Sequence, residues 1–425
     1  MSKLIQNKHM LYFQRGFEKL SVKRSFDKAY WPKAQEAYQK GDFEDAIRCF
    51  LKYLDPNMID DQGAVLGQSF SFTDSSAQLT MKISDEEIVI EAPFVKLSSG
   101  GKGVAARRKL LILLGNLKCM TIDIRGNDVC IVSKSNIAQS HPSRLYGILL
   151  QMSRTIDYND DFFIKDFDCE AITKANHIQY SEEEKKSLWE FFQENLAFTK
   201  EKIEQTQKEN IQFAYALYAD IMARRTIYYI HPHGFLSSLS YDLIFKLNQG
   251  LGFQTSTELA KKYIDEMDQV SEDAFFGCVF KADEFFYRKN LFKMDEYQKG
   301  FTEDFYVTNG RHAQDNHKFS LASAFFENKI YCLLTDLDMP DKYQLYLDNV
   351  LKEAASEDDQ EKITHMLHQG LVNLDESNHD EGGINPFENI EMTDAYNQAM
   401  AQAQKIMDQQ QKFFESMANE KKVSS

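Results

Sequence analysis

The sequence predicts an α+β protein in which a small antiparallel-sheet domain precedes a large all-α helical domain. Three observations carry that prediction. Between about Val65 and Asp160, short apolar runs alternate with polar residues at period two, punctuated by turn chemistry and flanked by helical patterns. From about Ser181 onward, apolar residues recur at helical spacing, broken by Gly, Pro and Asn or Asp. The 425 residues, 43% of them hydrophobic, are enough for two or three domains with sizeable cores. The boundaries read as N-terminal helices over 1–58, the α+β domain over 59–170, the helical domain over 171–374, an acidic linker over 375–391 and a C-terminal amphipathic helix over 392–425.

The first elements are a helical hairpin over residues 28–56. Gly41 and Asp42 sit at a tight turn, with Tyr38 before it and Phe43, Ala46, Phe50 and Tyr53 after it at helical spacing. With Ala46, Phe50 and the closing Pro56, the hairpin resembles one tetratricopeptide unit. It departs from that pattern at Lys33 and Ala37, and no second copy follows at a spacing of about 34 residues. A lone unit lacks the concave array that grips peptides. It either packs against its neighbour or contributes to binding a partner.

The period then changes. Phe70 and Phe72, then Leu79, Met81 and Ile83, then Ile88, Ile90 and Ala92 alternate with polar residues, with turns at Asp74–Ser76 and Asp85–Glu87. A helix over Val104–Leu117 carries Leu110, Leu111, Leu113, Leu114 and Leu117. Met120, Ile122 and Ile124 then pair across Gly126-Asn127 with Val129 and Ile131. After His141-Pro142 a helix carries Leu145, Ile148, Leu149, Met152 and Ile156. Ile83, Ile90, Leu113, Ile122, Ile131 and Leu149 should share one core.

The succession helix, three strands, helix, two strands, helix, with LLILLGNL closing the middle helix and TIDYNDDFF after the last, resembles the type III secretion chaperone-like fold and its YbjN-type relatives. The resemblance covers about a quarter of the chain. It implies a bacterial style and a sheet or last helix that forms either a homodimer face or a client-binding face. The helical mass after residue 170 lies outside that family's minimal pattern and can occupy the same surfaces.

In the second half, SEEEKKSLWEFF begins with a serine N-cap and a glutamate three residues on, a capping box leading into Leu188, Trp189, Phe191 and Phe192. Helical patterns recur near 211–230, 237–249, 256–268, 272–289, 318–335, 341–355 and 357–373. The aromatics Phe275, Phe276, Phe280, Phe285, Phe286, Tyr287, Phe319, Phe325, Phe326 and Tyr331 read mostly as core. In the last helix, Tyr396, Met400, Met407 and Phe414 lie on an apolar stripe that suits an adaptable protein contact, in cis or in trans.

Charge and composition bound the function. A net charge of −16 and a pI near 5.2 disfavour a nucleic-acid surface. The six cysteines are dispersed without a CxxC pair, as reduced thiols of a cytoplasmic protein are. Lys3, Gln6, Asn7, Lys8 and His9 interrupt any signal-like apolar run. The most membrane-like stretch, Ile211–Ile230, holds Asp220, Arg224 and Arg225 and reads as a buried helix with a charged edge, so no membrane span is expected.

Candidate chemistry is sparse. Ser98–Gly103 before a basic helix offers a weak anion site with Lys102, Arg107 and Arg108, but it is not a P-loop, because Lys96 and Gly103 stand where Gly and Ser or Thr are required. His231 and His233, His365 and His368, and His312 and His317 lack further metal ligands nearby. Asp157, Asp160, Asp161, Asp166 and Asp168 lack the glycine and glutamate of a calcium loop and read as a solvated acidic face. Catalytic, cofactor and metal residues are therefore expected to be none. The expected function is a non-enzymatic adaptor or chaperone-like protein that recognises another polypeptide. The alternative is a ligand sensor or enzyme whose site assembles only in three dimensions, with Ser98–Gly103, Arg107, Arg108, His231 and His233 the first residues to examine.

Overall fold

The structure is a computed structural model that describes residues 2–16, 27–173, 177–208, 211, 213–282, 290–291, 297, 300–301 and 303–375. Period-two patterning becomes the sheet: β3 (Ser69–Asp74), β4 (Ala77–Ile83), β5 (Glu87–Lys96), β6 (Thr121–Arg125) and β7 (Asp128–Asn136) run antiparallel in the order β3-β4-β5-β7-β6. Met81 opposes Ile90, and Ile122 opposes Ile131, so the apolar members of each strand share one face. Gly126 supplies the positive φ of the β6–β7 turn. Pro93, which has no N–H to give, precedes a register shift in β5, and the end of that strand pairs with β7 on one side and with the short β8 (Glu170–Ala171) on the other.

Helices cover the apolar face. They are α1 (Tyr30–Gln39), α2 (Phe43–Leu54), α3 (Gly100–Leu114) and α4 (Pro142–Phe167). Trp31, Ala34, Phe50, Leu51 and Leu54 of the helical hairpin are buried in the same core as Ile83, Ile90, Ile131 and Leu149, so the hairpin packs against its own sheet domain. Leu113 and Ile122 join that core only partly buried. The α+β class therefore holds.

Tyr12, Phe13 and their neighbours form a second core with the helical half. The expected 1–58 unit is thus divided: its first residues form a β hairpin, β1 (Lys3–Gln6) with β2 (Leu11–Gln14), inside the helical domain's core, whereas its helical hairpin belongs to the sheet domain.

The helical half contains β9 (Ile178–Gln179), α5 (Glu182–Lys208), α6 (Ala214–Arg225), α7 (Gly234–Leu247), α8 (Phe253–Asp268), α9 (Glu272–Gly277), β10 (Phe280–Lys281), β11 (Asn290–Leu291), α10 (Phe305–Asp315), α11 (Phe319–Asp336), β12 (Leu337–Asp338), α12 (Asp341–Ala355) and α13 (Gln360–Val372). The capping box is made reciprocally: Ser181 N–H donates to Glu184 Oε2 at 2.7 Å and Glu184 N–H to Ser181 Oγ at 3.3 Å. The pattern near 272–289 is helical only over Glu272–Gly277 among the described residues.

Among the described residues no helix is long and apolar enough to cross a membrane. The stretch around residue 220 is instead fully internal. Arg224 donates to Asp220 at 3.1 Å and to Asp336 at 2.7 Å, and Arg225 donates to Glu327 at 2.6 Å. Burial opposes the Arg224 charge, yet the two carboxylates more than offset it and leave its pKa raised. After Arg225 the chain widens into one π turn, Thr226–Ile230, which the periodic pattern does not distinguish from α-helix.

Candidate functional site

Two places stand out, one internal and one on the surface. The internal one forms along α4, the helix both halves share: it covers β4 and β5 and also packs along α7. Asp157, Asp160, Asp161 and Ile164 are spaced i, i+3, i+4 and i+7, which places them on one side of α4. The acidic run is therefore not the solvated face that its composition suggests. Asp157 is fully buried and Asp160 and Asp161 are half-buried, while Asp166 and Asp168 remain exposed.

The β3–β4 turn reaches the same place. Ser75 adopts φ +55°, a left-handed conformation that costs a serine energy and persists where its surroundings hold it. Its hydroxyl donates to Asp157 Oδ1 and lies 2.8 Å from His233 Nδ1. Because the hydroxyl proton is engaged by Asp157, the imidazole presents Nδ1–H to the serine oxygen. Ser153 on α4 donates to Asp74 beside it. His233 is set by the chain break at His231-Pro232-His233-Gly234. Gly234 takes φ +59°, and a Cβ there would come within 3.3 Å of Asp161 Oδ2, so the start of α7 can lie directly on α4.

These three groups are not a catalytic triad. In a triad the imidazole stands between serine and carboxylate and the serine oxygen faces substrate. Here the serine stands between the other two and all three are buried. The arrangement ties the sheet hairpin to α4 and α7. Burial also pushes the nearby Cys278 thiol up to about 12, which keeps it protonated.

Beside this lock lies a cavity of about 380 Å³ lined by Ser76, Phe94, Ile156, Asp160, Asp161, Ile164, Ala171, Thr173 and His177. The pairing of β9 with β10 brings His177 against Phe280, with ring centroids 3.7 Å apart. His233 stacks on Phe280 at 4.2 Å, so the phenyl ring is sandwiched between two imidazoles. Burial, with the charges of Asp157 and Asp161, raises the Asp160 carboxyl to about 7, against the pull of the Asp161 N–H that it accepts. Burial likewise raises Asp161, which Lys165 at 3.9 Å partly compensates. His177 is lowered to about 4, by burial first and then by His233.

The surface candidate is α3. Val104, Arg108, Leu111 and Ile112, at i, i+4, i+7 and i+8, share its outer side. Val104 is 50% exposed, Leu111 69% and Ile112 64%. α3 packs beside β6, whose Ile124 is 43% exposed and whose outer edge pairs with no strand among the described residues. Arg125, held by Asp123 and Glu91, places charge on that edge.

The anion-site candidates do not converge. Lys102 Nζ is engaged by Asp168 at 2.8 Å, Arg107 donates to Gly103 O at 3.3 Å, and Arg108 points along the exposed side of α3. Phe275, Phe280, Phe325, Phe326 and Tyr331 are buried, as core aromatics are, and Phe285, Phe286 and Tyr287 lie outside the described residues. Tyr396, Met400, Met407 and Phe414 also lie outside them. Among the described residues, no group of three or more His, Cys, Asp or Glu side chains is placed to hold a metal ion.

Sequence reasoning missed Phe94 and His177 altogether and read Ser75 only as part of a turn. Ser75 and His233 are 158 positions apart and no local motif links them. The only local signals were the Asp74–Ser76 turn, the His231–Gly234 break and the acidic run. No protein-family model matches this chain, and no curated protein matches it either.

Proposed function

We propose that this chain is a non-enzymatic adaptor or chaperone-like protein that recognises another polypeptide through the outer side of α3 and the free edge of β6. The exposed stripe of Val104, Leu111 and Ile112 beside the outer edge of β6, which pairs with no strand among the described residues, is the observation that carries the reading. An apolar helix face is ordinarily buried, and its exposure on a domain with a complete core of its own calls for a covering partner. Arg108 lies within the stripe and has no ion pair among the described residues, so the matching segment is apolar with a carboxylate opposite Arg108. The element order that resembles the type III secretion chaperone-like and YbjN-like domains supports the same reading, as does the cytoplasmic style of an acidic chain with dispersed thiols.

The test is co-purification from the native host with a Leu111→Asp, Ile112→Asp double variant. Both residues are exposed, so the melting temperature should stay within about 2 °C of wild type, while a stoichiometric partner is lost. A partner retained at full stoichiometry rejects the α3 surface, and a chain that self-associates through it replaces the adaptor reading by a homodimer.

A second reading, a ligand-binding sensor, is favoured by the cavity between α4, the β3–β4 turn and His177. Its walls come from both sides of the domain junction, so an occupant would bear on how the two halves meet.

A further inference from the structure

We infer that the cavity lined by Asp160, Asp161, His177, Ser76 and Phe94 is a binding site for a small organic amine carrying an apolar body; this rests on the ligand-binding reading of that cavity. A volume of about 380 Å³ accommodates a molecule of several heavy atoms, and Phe94, Ile156 and Ile164 offer it apolar surface. Asp160 and Asp161, adjacent on α4, give it a carboxylate wall.

The two carboxylates are not equivalent. Asp161 is approached by Lys165 at 3.9 Å, whereas Asp160 receives the Asp161 N–H at 2.7 Å and has no ion pair among the described residues. A half-buried carboxyl without a cation is an unmet demand for one. A bare metal ion does not answer it, since the carboxylates and His177 are not gathered closely enough among the described residues to hold one. An ammonium on a carbon body fits both the charge and the space.

His177 supplies an independent observation. Its Nε2 atom is buried and has no hydrogen-bond partner among the described residues, although polar atoms out of reach of water are ordinarily paired. The ring is held by its stack on Phe280 and forms part of the cavity wall.

The groups facing Asp160 are Asp157 and Asp161 on α4, Ser76 from the β3–β4 turn and His177, with Lys165 behind Asp161 and His233 behind Asp157. Burial and the neighbouring carboxylates keep Asp160 largely protonated below about pH 7, so seating an ammonium expels that proton. Affinity for an amine should therefore rise between pH 6 and pH 8, where the amine itself stays charged.

The experiment is calorimetric titration of the full chain at pH 8 with phenethylamine, 2-phenylethanol and phenylacetate, which share a shape and differ in charge. Millimolar or tighter binding of the amine is expected, with the alcohol and the carboxylate at least about tenfold weaker. Asp160→Asn, checked by its melting temperature to be folded, should weaken the amine by about tenfold or more and remove the pH dependence. Equal binding of all three probes, or amine binding unchanged in Asp160→Asn, overturns the amine assignment while leaving a ligand cavity. Binding by none of the three overturns both the assignment and the ligand-binding reading.

Discussion

At the scale of single residues, the junction carries groups that cost the fold stability. Asp160 keeps its proton to about pH 7 in the folded chain, whereas an unfolded aspartate loses it near pH 4. Between those values the folded state binds more protons, so this residue lowers stability as pH rises from about 4 to 7. His177 acts in the opposite sense. It is neutral in the fold down to about pH 4 but protonates below about 6.5 when unfolded, so it raises stability over nearly the same range. The two slopes largely offset in the wild type. Urea midpoints across pH 4 to 8 should expose them separately, with Asp160→Asn gaining stability up to pH 6.5 and His177→Gln losing it up to pH 7. Like slopes in the two variants would contradict these assignments. Raised and lowered groups of this kind are legible only once burial is known. The sequence showed five aspartates close together, and nothing in their spacing distinguishes Asp157, which a serine 82 residues away engages, from the exposed Asp168.

At the scale of elements, what could be read was what is local. Strand alternation, the Gly126 turn, the Ser181–Glu184 box and the helical patterns through residue 225 all depend on neighbours in sequence, and each appears where its pattern lies. Ser181→Ala should cost about 1 kcal/mol, read as a lower chemical-denaturation midpoint. Burial depth was less legible, because a helix can be apolar on more than one side. α3 carries Leu110, Leu111, Leu113 and Leu114 in succession, yet only Leu110 of these is buried. Leu149→Ala, at 0% exposure, should cost 2 to 5 kcal/mol, as large-to-small changes in a closed core do. Leu113→Ala should cost roughly half as much or less, since part of that side chain is already in water. Equal costs would mean that α3 sits deeper on the sheet than the structure places it.

At the scale of the whole molecule, two apolar cores meet along α4 and α7 through a polar seam of Ser75, Asp157 and His233. The N-terminal hairpin crosses into the distant core, and no periodicity in its residues announces that. Among the described residues the helical core runs up to Leu374, and deleting residues 390–425 should leave the thermal midpoint within about 2 °C of the full chain. A larger fall would show that the stripe of Tyr396, Met400, Met407 and Phe414 contributes to the fold in cis. The proposed recognition surface lies on α3 and β6, and Cys119, the exposed thiol between those two elements, gives direct access to it. A photoactivatable benzophenone placed on Cys119 and irradiated in native extract should yield one dominant adduct with a second, different polypeptide. That adduct should disappear in the Leu111→Asp, Ile112→Asp variant. An adduct that persists in the variant, one formed only with the chain's own residues or a second copy, or none at all would contradict the adaptor reading.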